Sequence, residues 1–492
     1  MEKTDNLIIF LMDTQRADNL SCYGYPVKTT PHIDAIADEG VIFTNNIIPG
    51  VWTLPSHASL FTGRYVSGHG ADAHHEFLPA DFPTMAEILG KMGYKTVGFS
   101  NNGWVSRSTG IARGFQEYYL VSREKAGRVE WFYVEEETFR EEERDRGSLK
   151  TVNAAISWIE NKYDGKSPFF MFINVIEPHG PYRPPEPFKS RFLPPGVSEE
   201  EIRSLPPLRS VEECIDIRMG ELVPPPRYWE IQKALYNGCT ATVDDRVGRL
   251  YKYLEEKGIL DETILIVTSD HGDVQGEHMP HVEHHLCAYD ELIRVPLIIR
   301  YPKALPQGKE VRWITQTLDI LPTVLDLLDM KDESVWKTIQ GLSVLPAVDD
   351  EPLREFAFTE YMRPLQQLFL FWRRLPKFDV RRYNYWLKAL RTLRYKYVWY
   401  SDGRDELYDL EVDPLEQHDI SGDTPRVVAD MQEKMEKFLL SIDRVDYGDH
   451  LFVGRRRLKM PGSEDILERL KAWGFYRESK PVLPPEEQDT YI

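Results

Sequence analysis

The 492-residue chain has no apolar run near the roughly 18–20 residues that a membrane-spanning helix needs. Cysteine is scarce: Cys22, Cys214, Cys239 and Cys287 lie far apart, with no C-x-x-C pair. That argues against a disulfide framework or a zinc ribbon and fits a reducing compartment. Positive charge is in deficit, with 60 Lys and Arg against 79 Asp and Glu and a net charge of −19. A general nucleic-acid binder needs a basic surface, so no nucleic-acid partner is expected. A small anionic substrate is still allowed, because a site can be locally positive in an acidic protein. The stretch before Leu7 is polar and Leu7–Met12 is too short for the apolar core of a signal peptide, so a cytoplasmic location is expected. No internal repeat or low-complexity tract interrupts the chain.

Short β-branched runs alternate with helical stretches. Leu7–Met12, Lys95–Phe99, Phe169–Val175 and Thr263–Thr268 read as buried strands. Thr84–Met92, Val152–Lys162 and Tyr228–Lys257 read as helices between them. This alternation predicts an α/β fold: a mainly parallel mixed sheet sandwiched by helices. In such sheets ligands bind beyond the carboxyl ends of the strands. Polar residues gather there: Asp13 after the first strand, Asn101 and Asn102 after the second, His179 after the third, Asp270 and His271 after the fourth.

Beyond about residue 355, strand-like Arg391–Tyr400, a Ser401-Asp402-Gly403 turn, Glu406–Leu410 and a helix over Arg426–Ile442 predict a smaller antiparallel sheet carrying one helix. The expected organisation is a catalytic domain over 1–355 with an insertion at 181–226, a C-terminal α+β subdomain over 356–450 and a peripheral tail over 451–492. The insertion is proline-rich and lies next to the presumed site. The segment Arg128–Arg146 is charge-rich and mostly acidic. Residues 373–396 hold nine Lys or Arg against one acid, Asp379, mixed with aromatics. One reading is a solvated helix whose Tyr383, Trp386, Leu387 and Leu390 share a face. The other is a peripheral membrane or lipid contact.

Asp13, Asp270 and His271 make a plausible divalent-cation site, although an Asp after a strand also caps the next helix. In Ser269-Asp270-His271-Gly272-Asp273 the metal is the favoured reading. Ser56–Thr62 can start a helix behind Pro55, with Thr53 just before it. A helix N-terminus suits a tetrahedral oxyanion, and a hydroxyl there can be a nucleophile or a cap. Five histidines fall between 271 and 285. His281 and His284 read as exposed loop residues, and His278 could support a ligand from behind.

These pieces together resemble the sulfatase family of the alkaline-phosphatase-like superfamily. The matching stretches are Leu11–Asp18, Cys22–Tyr25, Thr30–Asp34, Thr53–Arg64, Glu177–Tyr182, Ser269–Gly272, Arg294–Ile299, Asp319–Thr323 and Glu406–Leu410, in family order. The resemblance implies a metal-dependent ester hydrolase. Asp13, Asp270 and His271 would hold one divalent metal ion (Ca, Mn, Mg or Zn), with Thr53 facing it as a further ligand and attacking sulfur or phosphorus in line. His179 would bind a nonbridging or leaving oxygen. His285, where the family keeps a Lys or His, would help the leaving group as an acid. His57 and Asn101 join the catalytic set. Asn102, Tyr182 and Arg183 are assigned to substrate binding.

The departures from the family pattern carry information. Classical sulfatases have a Cys or Ser at the Thr53 position, which is oxidised to formylglycine, and a threonine cannot form that aldehyde. The usual Arg is His57, the usual Lys-containing segment is Asn101-Asn102-Gly103-Trp104, and the second metal-ligand Asp is Thr14. The D-x-x-x-H element of two-metal relatives is absent, since Arg183 stands four after His179. One metal is therefore expected. The substrate class is a sulfuric ester or a phosphoric or phosphonic ester. Rival readings are a transferase of a phosphoryl-linked head group to a lipid or glycan, and a non-catalytic anion-binding homologue. An oligomer stays open.

Overall fold

Six apolar residues in a row, Leu7–Met12, are buried on both faces of strand β1 (Asn6–Asp13). This is the signature of a central strand covered on both sides. The computed structural model describes residues 5–73, 75–121, 145–204, 211–362, 364–374, 379–445, 450–453, 456–459 and 490–491. Most of the acidic segment Arg128–Arg146 and most of the tail lie outside the described residues.

Around β1 lie β2 (Val41–Ile47), β3 (Lys95–Ser100), β4 (Glu117–Leu120), β5 (Phe169–Pro178), β6 (Thr263–Ser269), and β9 (Leu297–Arg300) with β10 (Lys309–Gln316). The sheet order is β10-β2-β9-β6-β1-β5-β3-β4, with the two residues Thr490–Tyr491 at the outer edge. β1 runs parallel to β5 and β6, and β3 parallel to β4 and β5. β9 is antiparallel to both neighbours, β2 and β6. The mixed, mainly parallel sheet is thus as expected.

Alternation along β1 divides the core in two. Leu7, Ile9 and Leu11 join the cluster containing Leu54, Ala58 and Phe61 of the helix Thr53–Thr62. Ile8, Phe10 and Met12 join Val152, Ala155 and Ile159 of the helix Ser148–Lys162 and Val243, Val247 and Leu250 of the helix Pro226–Glu256. Leu11 lies level with Asn174 of β5 and Thr268 of β6, so three strands end together. The register on the β5 side breaks between Met12 and Asp13.

The insertion carries the short helices Phe188–Phe192, Glu199–Ser204 and Val211–Met219. The last of these packs on a hairpin of β7 (Val274–His278) and β8 (His281–Glu283). The C-terminal part is an antiparallel sheet of β11 (Ala357–Tyr361), β12 (Leu387–Arg391), β13 (Tyr395–Tyr400) and β14 (Asp405–Asp409), with the helix Pro425–Ser441.

Two expectations are corrected. The helix at Thr53 starts at that residue, not at Ser56. Pro55 is tolerated because the first N–H groups of a helix have no intrahelical acceptor. The helical face Tyr383–Leu390 does not exist: Leu387–Arg391 is a strand, and Arg391 ends a strand where it was expected to begin one. Leu390 pairs with Phe358 and Tyr397, and Leu387 with Tyr361 and Tyr400, so aromatic cross-strand partners decide the conformation. Of the basic block, Lys388 pairs with buried Glu360, Arg391 with Asp290, and fully buried Lys396 with Asp290 and Glu416. Exposed Arg381 pairs with Asp379. The four cysteines are free thiols. Among the described residues no helix is long and apolar enough to cross a membrane.

Candidate active site

Asp13 ends β1, and Asp270 and His271 follow β6, so two adjacent parallel strands deliver all three side chains to one point. All three are buried. His271 Nε2 lies 3.8 Å from Asp13 Oδ1 and 3.5 Å from Asp270 Oδ2. The opposite ring nitrogen, Nδ1, faces the Gly272 carbonyl at 2.9 Å and must donate to it, which leaves the Nε2 lone pair facing the carboxylates. Asp270 Oδ1 accepts from the backbone N–H groups of Thr14 (3.2 Å) and His271 (2.9 Å). Thr14 holds a left-handed backbone, φ 60°, a costly conformation for a β-branched residue that is typical of functional sites.

The atoms left over make the case for a cation. Asp13 Oδ1 and Asp270 Oδ2 are buried without a hydrogen-bond partner, and these are the two atoms nearest His271 Nε2. The three ligand atoms lie within 4.8 Å of one another. Ligands on one cation with bonds of about 2.1 Å stand about 3–4 Å apart, so the residues present fit a divalent ion. The charges agree. Burial, reinforced by Asp270, pushes the Asp13 carboxyl well above its usual range, and burial pushes Asp270 up to about 7. Burial also lowers His271. Two carboxylates sharing a buried site resist ionisation unless a cation joins them.

Thr53 is the first residue of its helix, 4% exposed. Its Oγ1 lies 3.4 Å from His271 Nε2. The hydroxyl thus stands beside the Asp13, Asp270 and His271 cluster and at the positive end of a helix.

The other expected residues divide. His179 follows β5, and its Nδ1 donates to the Gly180 carbonyl at 2.6 Å, leaving Nε2 free. Burial, with help from Arg146, lowers its pKa to about 3. His285 lines a small cavity with Trp52, Tyr361 and Gln367, and burial and Arg218 push it well below the ordinary value. Asn102 donates through Nδ2 to Asp13 Oδ2, so it braces one of the three clustered residues. Asn101 is spent on backbone: its Oδ1 accepts from Ile176 N at 2.7 Å and its Nδ2 donates to Arg146 O at 3.0 Å. His57 is fully buried behind Asp270, with Nδ1 donating to Thr53 O at 2.8 Å and lying 3.7 Å from Asp270 Oδ2. Burial lowers its pKa to about 3, and its Nε2 has no partner. Tyr182 is buried with its hydroxyl donated to Asp273. Arg183 is half-buried, and its charge reaches Arg146. His278 is 3.2 Å from Glu291 and stacked on Tyr289, away from the cluster.

Two residues come to the site that sequence reasoning missed. His284, read as an exposed loop residue, is 8% exposed and central. Its ring stacks on His271 with centroids 4.4 Å apart and lies 5.1 Å from His179 and 4.3 Å from His285. The only available signal was the density of histidines between 271 and 285. Arg146 donates to the carbonyls of His179 and Gly180 and acts electrostatically on Asp13. It returns fixed positive charge to a site whose family pattern had lost it at His57 and at Asn101–Trp104. Nothing in its local sequence marks it.

A family model described as sulfatase matches residues 5–330, and one described as N-sulphoglucosamine sulphohydrolase, C-terminal, matches residues 276–443. The N-acetylglucosamine-6-O-sulfatase of Bacteroides thetaiotaomicron is 26% identical, over 93% of this chain and 90% of that protein. A structure solved with its substrate D-glucosamine-2-N,6-O-disulfate is 24% identical with a TM-score of 0.67, covering 91% of this chain and 100% of that one. The phosphonate monoester hydrolase of Agrobacterium radiobacter is 21% identical with a TM-score of 0.69, covering 93% of this chain and 100% of that one. With a family model spanning two thirds of its length, and with strand ends that bring Asp13, Asp270 and His271 to the hydroxyl of Thr53, the chain belongs to the sulfatase family of alkaline-phosphatase-like proteins.

Proposed function

We propose that this ester hydrolase acts on a tetrahedral ester bearing one negative charge, a sulfate monoester, phosphonate monoester or phosphodiester, with Thr53 as its nucleophile. The observation that carries the reading is the placement of Thr53 Oγ1, 3.4 Å from His271 Nε2, beside two carboxylate oxygens that have no other partner. Asp13, Asp270 and His271 would hold a divalent ion. When bound, it supplies the charge that makes a hydroxyl acidic and stabilises a tetrahedral anion. Thr53 Oγ forms a bond to phosphorus or sulfur as the bond to the leaving oxygen breaks. The hydroxyl proton leaves to water as that bond forms. Binding of the anionic ester places a proton on His285 and on His179 Nε2, so that His285 protonates the leaving oxygen and His179 donates to a nonbridging oxygen. His285 then takes a proton from the attacking water, which cleaves the threonyl ester, and Thr53 Oγ regains its proton. One candidate cation site among the described residues, with Arg146 acting on Asp13, suits one negative charge at the tetrahedral centre better than two.

Thr53 also favours phosphorus over sulfur within that class, because a plain threonine lacks the aldehyde that classical sulfatases use. The test is parallel turnover of an aryl sulfate, an aryl phosphodiester and an aryl phosphonate monoester by purified protein with Mn²⁺. The expected result is faster cleavage of a phosphorus ester, lowered at least about 10³-fold by Thr53→Ala without loss of fold or Mn²⁺ binding. Turnover that survives Thr53→Ala would remove Thr53 from the mechanism. Faster Thr53-dependent sulfate release would assign sulfur.

A further inference from the structure

Arg218 is 1% exposed and sits in the helix Val211–Met219, inside the proline-rich insertion and outside the α/β core. Its Nε and Nη2 both donate to the carbonyl of Val282, at 3.2 and 2.7 Å, and Nη2 also reaches Glu283 Oε2 at 2.9 Å. Nη1 donates to Gln367 Oε1 at 2.7 Å. Its own carbonyl accepts from the Tyr383 hydroxyl at 2.6 Å. One side chain thus ties the insertion to the end of β8 and to the helix Leu365–Arg374.

The next two residues after that anchor are His284 and His285. Their flanks are strained: Glu283 and Leu286 both hold left-handed backbones, with φ of 59° and 68°. Such conformations are rare for residues other than glycine and persist where surrounding contacts over-determine them. The N-terminal flank is fixed by Arg218. The C-terminal flank is fixed by buried Tyr385, whose hydroxyl donates to the Leu286 carbonyl at 2.8 Å. A guanidinium close to imidazoles opposes their protonation, so electrostatics alone gives no reason for an arginine here. A rigid fork of donors matched to one carbonyl and one carboxylate does.

We propose that Arg218 is a positioning residue for the leaving-group side of the site: it locks the left-handed turn that seats His284 between His271 and His179 and aims His285 at the departing oxygen. On this view the insertion is a strut of the reaction centre. The inference rests on the assignment of His285 to the leaving group, so the experiment separates the two.

The measurement is kcat and KM on phenyl esters of the class the enzyme turns over, with leaving phenols ranging from 4-nitrophenol to unsubstituted phenol. The set is wild type, Arg218→Met, Arg218→Lys, Tyr385→Phe, His285→Ala and Arg218→Met combined with His285→Ala. A misplaced acid hurts poor leaving groups most. Arg218→Met is expected to cut kcat about 10-fold or more on the phenyl ester and less than about 3-fold on the 4-nitrophenyl ester, with Mn²⁺ affinity unchanged. Arg218→Lys should recover part of the loss. Tyr385→Phe, which removes one hydroxyl, should show the same slope more weakly and carries the test if Arg218→Met is insoluble. The combined variant should be no worse than His285→Ala alone. A steep series for His285→Ala with a flat one for Arg218→Met and Tyr385→Phe would overturn the inference alone. A flat series for His285→Ala would overturn the assignment of His285 and the inference with it. Losses that multiply in the combined variant would also overturn it.

Discussion

Asn102 gives its Nδ2 hydrogens to Asp13 Oδ2 and takes the Trp104 N–H on its Oδ1 at 2.9 Å. The amide fixes one carboxylate oxygen and turns the other, Oδ1, toward His271. Partners of this kind typically set cation affinity by about 10–100-fold. Asn102→Ala is expected to weaken Mn²⁺ binding by that factor in a metal titration, with little change in Tm. Unchanged affinity would show that Asp13 needs no brace. Arg16, in the stretch Asp13–Asp18, works at the same scale. It pairs with Asp18 and, at 2.9 Å, with Glu277. Burial alone would raise the Glu277 carboxyl, but Arg16 and Lys233 outweigh it and hold it at about 2. A carboxyl below its unfolded value of about 4.3 adds stability above that pH and loses it as pH falls toward 2. Glu277→Gln should therefore cost about 2–3 kcal/mol at pH 7, and clearly less at pH 3, in chemical denaturation. A deficit equal at both pH values would contradict the pairing. Residues that end strands, Asp13, His179 and Asp270, were legible because a strand end announces its own position. Arg146 and His284 were not, because their places depend on where distant segments meet.

The turn Ser269–Asp273 shows what an element requires beyond its ligands. Gly272 N donates to Leu292 O at 2.8 Å and Asp273 N to Glu291 O at 3.1 Å. A Cβ on Gly272 would stand 1.9 Å from the Glu291 carbonyl oxygen, so the backbone would have to move, and His271 is the adjacent residue. Gly272→Ala is expected to cost about 1–3 kcal/mol and to lower kcat/KM at least about 10-fold. Thermal unfolding and turnover would check this, and a variant with wild-type activity would show that the turn tolerates the shift. Buried strands such as β1, β5 and β6 were readable because continuous apolar runs suit a sheet covered on both faces. The stretch Tyr383–Leu390 misled because its apolar spacing matches a helix, while pairing with Phe358 and Tyr397 makes Leu387–Arg391 a strand. Periodicity describes one segment, and cross-strand pairing belongs to three.

At the scale of the whole molecule, the large sheet and the C-terminal sheet are joined through a buried charge cluster. Lys396 on β13 is fully buried. It donates to the Ala288 carbonyl at 2.8 Å and pairs with Asp290, 3.2 Å away, and with Glu416. Arg391 on β12 reaches the same Asp290 at 3.0 Å, and Asp290 N donates to Glu416 Oε2 at 2.7 Å. The sequence displayed Arg391 and Lys396 only as part of a basic block, because ion pairs across a hundred positions leave no periodic trace. Asp290 lies just beyond the turn that carries His284 and His285, so the cluster also fixes the far end of the reaction centre. Removing the ammonium leaves Glu416 buried without its cation and Asp290 to Arg391, a change that costs about 3–5 kcal/mol. Lys396→Ala should therefore lower Tm by several degrees and reduce kcat with it. Adding Glu416→Gln should restore part of the stability, since one stranded charge is then gone. If Lys396→Ala unfolds at the wild-type temperature, the cluster does not hold the two sheets together, and the apolar contacts between them carry the joint.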